Sequence, residues 1–277
     1  MTISAKDVNA LRQQTGAGMM DCKKALTEAE GDYEKAVDIL RKKGQKVSAA
    51  RQDKEAAEGA VFAQLSADGQ RGILFQLSSE TDFVARNEDF QALGSKIANV
   101  AASEFPADLE ALKALTIDGR SVAEHITDIV GKIAEKIDVT AYERLEGQGV
   151  AAYIHPGARI GVLIAFDGTD GVDVATVGKD VAMQIAAMNP VSIGPEDVPA
   201  EIAARELEIG KEQARAEGKP EEMLEKIAQG KLNKFYKEAT LLEQEFVKDS
   251  TKTIRKYLHE QNAHLKVLAF RRMRIGS

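Results

Sequence analysis

At Gly59 the apolar period of this chain changes from helical to two. Val61, Ala63 and Leu65 alternate with Phe62 and Gln64, Asp68-Gly69 is a turn pair, and Ile73-Leu74-Phe75-Gln76-Leu77 is the returning strand. After Thr81-Asp82-Phe83-Val84-Ala85, helical spacing resumes with Phe90, Leu93, Ile97, Val100 and Ala101. The same order then recurs. Gly149-Val150-Ala151-Ala152-Tyr153-Ile154 is a strand, His155-Pro156-Gly157 a turn, and Ile160-Gly161-Val162-Leu163-Ile164-Ala165-Phe166 a second strand. A helix follows with Val177, Val181, Ile185 and Met188. Laying Gly69 on Gly157 brings Gly72 nearly onto Gly161, so the chain carries an internal duplication. The fold class is therefore α+β, with a core of two β-hairpin-plus-helix units. Only the first copy has the Thr-Asp-Phe-Val-Ala segment; the second has Gly168-Thr169-Asp170-Gly171 there.

The duplicated core predicts a first subdomain over 59–145 and a second split into 146–198 and 239–277. Ahead of it, residues 1–45 read as three short helices, broken at Thr15-Gly16-Ala17-Gly18 and at Gly31-Asp32, with Gly44 ending the third. Residues 46–58 are polar and Ala-rich and read as a helical or flexible linker. Residues 108–137 read as helix, with Ile126, Ile129, Val130 and Ile133 on one face. Two densely charged helical segments, 201–217 and 221–238, are separated by Gly218-Lys219-Pro220, a helix stop. They predict an antiparallel helical hairpin over 199–238, projecting from the body. Thr253 to His259 reads as a helix, followed by the strand Leu265-Lys266-Val267-Leu268-Ala269-Phe270.

Charge and composition exclude several functions. The 277 residues carry 37 basic and 44 acidic side chains, a net −7, which argues against direct nucleic-acid binding. There is no Trp, so the cores must be built from Ala, Val, Ile and Leu. Cys22 is the only cysteine, which excludes an intrachain disulfide and fits a reducing cytosol. Met1-Thr2-Ile3-Ser4-Ala5-Lys6-Asp7 has no apolar signal stretch, and no apolar run approaches the ~20 residues of a membrane span. A cytoplasmic protein without a membrane partner is expected.

Enzyme signatures are scarce. There is no P-loop and no G-x-S-x-G, and His259 and His264 are one residue too far apart to share a metal on a helix. No catalytic residue, cofactor or metal is expected. Cys22 lies beside Lys23-Lys24, a setting that can activate a thiol, but no His is near it in sequence and small helical bundles often bury a Cys, so a packed core residue is the favoured reading. Met19 and Met20 are adjacent and cannot both face one small core, so one offers a soft contact surface. Asp82-Phe83 stands just after a strand. Phe83 either starts the core of the next helix or is an exposed wedge. His155 reads as a turn residue or a recognition residue. The cluster Arg271-Arg272 with Arg274 reads as solvated.

The stretch Leu11-Arg12-Gln13-Gln14-Thr15-Gly16-Ala17-Gly18-Met19-Met20-Asp21-Cys22-Lys23-Lys24-Ala25-Leu26 resembles the N-terminal signature of the elongation factor Ts family. Thr81-Asp82-Phe83-Val84-Ala85 resembles its second signature, and His155-Pro156-Gly157-Ala158-Arg159-Ile160-Gly161-Val162-Leu163 its third. The three occur in the family's order, and the similarity covers nearly the whole chain. The resemblance implies a translation elongation factor that is the guanine-nucleotide exchange factor of elongation factor Tu. It implies a ubiquitin-associated-like N-terminal bundle with Arg12, Met19 and Met20 on the GTPase domain. It implies that Thr81, Asp82, Phe83 and Val84 intrude near the partner's Mg²⁺ and dislodge it, and that His155 faces the partner's third domain. The hairpin matches a coiled-coil protrusion that dimerises some members, which leaves homodimerisation open. Longer members continue into a C-terminal helix, for which the residues after Phe270 leave little chain. Beside this stand two other readings: a ubiquitin-like or peptide-binding adaptor using the N-terminal bundle, and an enzyme using Cys22.

Overall fold

The structure, a computed structural model, describes residues 3–276. Met1, Thr2 and Ser277, included above in the first and last modules and in the N-terminal stretch, lie outside the described residues. The chain is a mixture of helices and small antiparallel sheets.

Helix α1 (Ala5–Thr15) starts with a capping box between Ser4 and Asp7 and stops at Gly16, which adopts φ +66. Helix α2 (Met19–Glu28) and helix α3 (Tyr33–Arg51, capped by Asp32) pack with it around Leu11, Cys22, Leu26 and Ala36. Helix α3 does not end at Gly44, as the sequence suggests, but continues to Arg51, so the first half of the expected linker is helix. Gly44 is buried against a helix of the core, so it serves close approach and not termination.

Strands β1 (Glu58–Leu65) and β2 (Arg71–Ser79) form the first hairpin, followed by the single turn α4 (Asp82–Ala85) and helix α5 (Glu88–Glu104). The expected helix over 108–137 is instead α6 (Leu109–Ala114), a small hairpin of β3 (Thr116–Ile117) and β4 (Arg120–Ser121), and α7 (Val122–Ile133). Asp118 and Gly119 take positive φ in that hairpin, and a Ser121–Glu124 capping box restarts the helix. Ala134 ends α7 in the left-handed region, and Ile137–Glu146 is strand β5. The second unit has β6 (Gly149–Ile154), β7 (Ile160–Asp167) and α8 (Val174–Met188). Helices α9 (Ala200–Ala216) and α10 (Glu221–Ala239) follow. The chain then returns through β8 (Glu245–Phe246), β9 (Asp249–Thr253), α11 (Ile254–Gln261) and β10 (Lys266–Arg274).

The two principal sheets are ordered β1-β2-β5 and β10-β7-β6, each with the second strand of its hairpin in the centre. They share one apolar layer that includes Val61 and Leu74 of the first with Val150 and Leu163 of the second. The two halves of this layer correspond. Val61 matches Val150, Gly72 matches Gly161, and Leu74 matches Leu163, each pair at the same spacing along the chain. A Cβ on Gly72 would meet Leu163 at 2.7 Å, and one on Gly161 would meet Val61 at 2.5 Å, so the missing side chains let the sheets close. On its outer face each sheet is covered by its own helices, α5 and α7 for the first and α8 and α11 for the second.

Helices α9 and α10 pack on each other through Gly210, Ala214, Leu224, Ala228 and Leu232. Their base is tied by backbone bonds from Val191 N to Ala239 O (2.8 Å) and from Leu241 N to Ser192 O (3.0 Å). The terminal arginines are not all solvated. Arg271 pairs with Glu143 at 2.8 Å, and Arg272 is partly buried and donates to Ala186 O near the end of α8. Among the described residues no helix is long and apolar enough to cross a membrane.

Candidate functional site

The exit of β2 is built to turn one aromatic ring outward. Val84 and Ala85 of α4 are buried in the first core, and this burial fixes the rotation of the turn. Phe83, on the opposite side, is 80% exposed. Thr81 leads into α4, and the Arg86 N–H closes the turn on Phe83 O (3.3 Å). Around the ring nearly every polar group has a partner. The Ser79 hydroxyl donates to Thr81 O (2.8 Å), the Thr81 hydroxyl to Glu135 (2.9 Å), and Gln91 Nε2 to Ala85 O (2.6 Å). Asp82 pairs with Arg86 at 2.8 Å. Glu80 accepts from the Lys136 backbone N–H (2.6 Å) and from Arg51 Nη1 (3.2 Å). Phe83 is therefore presented on a turn that needs little further ordering to bind.

This geometry bears on the two readings of Phe83 and on the place of Val84. Phe83 does not open the core of α5; Phe90 does, fully buried against Phe62, which itself stacks on Phe75. Val84, placed by the resemblance in the intruding segment, is 6% exposed and anchors the turn from inside. The Thr81 hydroxyl is likewise spent on Glu135, so the outward chemistry of 81–84 is Asp82 and Phe83.

The His155 turn lies beside α4. Its backbone closes through Ala158 N to His155 O and His155 N to Ile160 O, both 2.9 Å, with Gly157 at φ +89. Val61 N donates to Ala158 O (2.8 Å), which ties this turn of the second unit to the first strand of the first. His155 is exposed, and the Tyr153 hydroxyl lies 3.0 Å from its Nδ1. Between this turn and α4 is a shallow cleft lined by Gly59, Asp82, Arg86, Gly157 and Arg159. Arg159 is ion-paired with Glu58, and that hydrogen bond, helped by the charges of Glu58 and Asp82, holds its guanidinium above the usual range. The structure thus brings Asp82 and the His155 turn to one cleft from opposite copies of the repeat.

Arg12, Met19 and Met20 line none of this cleft. They are exposed on the helical bundle, the two methionines at 55% and 64% in the first turn of α2. Both methionines face outward, since Cys22, Ala25 and Leu26 fill the inner face of α2. Cys22 is fully buried, with Sγ 3.6 Å from Ala17 O, an inert setting and not that of a nucleophile. A second cleft, between the bundle and α7, is lined by charges that already pair, Lys43 with Asp21 and Arg120 with Asp128, and is a packing seam.

Sequence reasoning missed Arg51, Glu80, Glu135 and Lys136 as supports of the turn. Only Glu80 had a signal, its place directly before Thr81; the others reach it from distant segments.

The chain thus joins two units of hairpin and helix to a small helical bundle and one outward-turned Phe-bearing loop. A sequence model of the family described as Elongation factor TS matches residues 80–277. The elongation factor Ts of Cytophaga hutchinsonii is 55% identical over 276 residues, covering 99% of each chain. Those of Amoebophilus asiaticus and Porphyromonas gingivalis are 52% and 48% identical, each covering 100% of both chains. The chain belongs to the elongation factor Ts family, and its role is in translation elongation.

Proposed function

We propose that this chain is the guanine-nucleotide exchange factor of elongation factor Tu and acts without covalent chemistry. The observation that carries the reading is Phe83, 80% exposed on a turn held by hydrogen bonds on both sides. Burying such a ring in a partner contributes roughly 1.5–3 kcal/mol. Every ~1.4 kcal/mol set against nucleotide binding is about tenfold in nucleotide affinity. By linkage, the nucleotide weakens the factor to the same degree. Phe83 wedges into the GTPase and Asp82 brings a carboxylate toward the Mg²⁺ that holds the GDP phosphates, so Mg²⁺ is displaced from the partner. The bundle, which we read as ubiquitin-associated-like, adds contact area through Arg12, Met19 and Met20. His155 meets the partner's third domain. The work is done in the cytoplasm, with no direct nucleic-acid contact. An adaptor built on the bundle would have no use for the Phe83 turn.

The test is the release of fluorescent GDP from elongation factor Tu with and without this chain. Acceleration is expected. An unchanged rate at saturating factor would end the exchange reading.

A further inference from the structure

The N-terminal bundle is not a tethered module. Its long helix α3 passes from the contact face to the core, lies against α7 at Gly44, and ends at Arg51. Arg51 Nη1 contacts both carboxylate oxygens of Glu80, at 3.2 and 3.4 Å, and Glu80 is mostly buried. Glu80 also accepts the Lys136 backbone N–H (2.6 Å), while Lys136 Nζ donates to Gln52 O (2.6 Å) and Lys54 O (2.9 Å) just beyond α3. One residue, Lys136, therefore grips the end of α3 and the stem of the Phe83 turn at once. Glu80 stands three positions before Phe83 with no flexible segment between them, because Thr81 is held by Glu135.

We propose that Arg51 and Glu80 are positioning residues for Phe83, so that the last turn of the bundle's long helix sets the direction in which the ring leaves the body. The inference rests on the exchange reading above. A carboxylate taken out of water and left with one partner in place of two pulls its segment toward new partners or solvent. Losing Arg51 thus frees residues 79–81 to shift, and a ring misplaced by about 1 Å loses effect on the partner's site without losing the docking surface. The bundle then acts twice, in docking through its outer face and in aiming the wedge through Arg51.

A double-mutant cycle on the full-length chain tests this, reading fluorescent GDP release from elongation factor Tu over a factor titration up to saturation. If the parent does not accelerate release, the exchange reading falls and this inference with it. With the parent active, Arg51→Ala is expected to lower the saturated rate about three- to tenfold and to change the half-saturating concentration about twofold or less. Arg51→Lys, which keeps the charge, is expected to recover most of the loss. In a Phe83→Ala background Arg51→Ala is expected to add nothing, since it acts through the ring. A parental rate for Arg51→Ala, or a loss that multiplies with that of Phe83→Ala, overturns the inference and leaves the exchange reading standing. Should Arg51→Ala fail to fold, Glu80→Gln, which keeps an acceptor for the Lys136 N–H, is judged by the same outcomes.

Discussion

Gly131 of α7 faces Gly44 of α3 so closely that a Cβ on Gly131 would stand 2.6 Å from the Gly44 Cα. The reverse is not true. A Cβ on Gly44 would meet Thr127 O at 3.5 Å and Gly131 Cα at 3.6 Å, ordinary contacts. The two glycines therefore predict opposite results. Gly44→Ala is expected to be neutral or to stabilise by up to about 1 kcal/mol, because Ala favours the helix. Gly131→Ala is expected to cost about 1–3 kcal/mol, because a backbone must move. Urea melts of the two variants check this; equal effects would mean that α3 and α7 do not meet there.

Two phenylalanines seven positions apart should separate stability from function. Phe83→Ala removes an exposed ring, so stability should change by no more than about 0.5 kcal/mol. GDP release should slow about tenfold or more, and by less when Mg²⁺ is chelated. Phe90→Ala should cost about 3–5 kcal/mol. Thermal melts and release assays on the same preparations decide. A Phe83→Ala chain that melts several degrees low and exchanges at the parental rate would return that ring to the core.

The hairpin of α9 and α10 should be removable. Its base is closed by the Val191–Ala239 and Ser192–Leu241 backbone bonds, which lie outside residues 199–238. Outside the pair, the contacts of α10 concentrate on the short turn over residues 241–243. Replacing 199–238 with a short Gly/Ser bridge should leave a cooperative melt and the strand signal in circular dichroism. A product with no cooperative transition would show that the second unit depends on the hairpin.

Tyr142 gives an alkaline prediction with a definite sign. Burial pushes its phenol up to about 12, and its hydroxyl donates to Pro106 O at 3.0 Å. The folded value lies above the unfolded value of about 10, so the neutral form is the one the fold favours. The stability it contributes is complete below pH ~10 and is lost as pH rises through about 12. Tyr142→Phe should flatten the loss of stability across that window and remove one late step from the phenolate absorbance titration. An unchanged titration would place Tyr142 in solvent.

Much of this architecture is legible in the residues. The alternation of β1, the nearly continuous apolar runs of β2 and β7, which are buried on both faces, and the helical runs after them mark both hairpins and both covering helices. Strand β5 is not legible for a physical reason. Its register against β2 shifts between Gln76 and Leu77, so Thr140 stands unmatched and the alternation begun by Ile137 and Val139 breaks. The reading of Gly44 as a helix end fails because a glycine at a helix crossing and a glycine at a helix end look alike in sequence. At the site, the residues of the Phe83 turn are visible but its direction is not. That direction depends on Val84 and Ala85 finding the core, and its support comes from Arg51, Glu135 and Lys136, which no local pattern links.

The placement of β10 bears on how the chain is made. The first sheet is complete once Glu146 has been joined, since β1, β2 and β5 lie within one stretch. The second cannot be: β7 waits for β10 across the whole of α8, the helical hairpin and α11. During synthesis, therefore, a half-finished second unit exposes an open strand edge while the finished first unit already offers the apolar face it needs. Packing on the first sheet can cover the inner face of the later half, but the free edge of β7 stays open until its closing strand is translated.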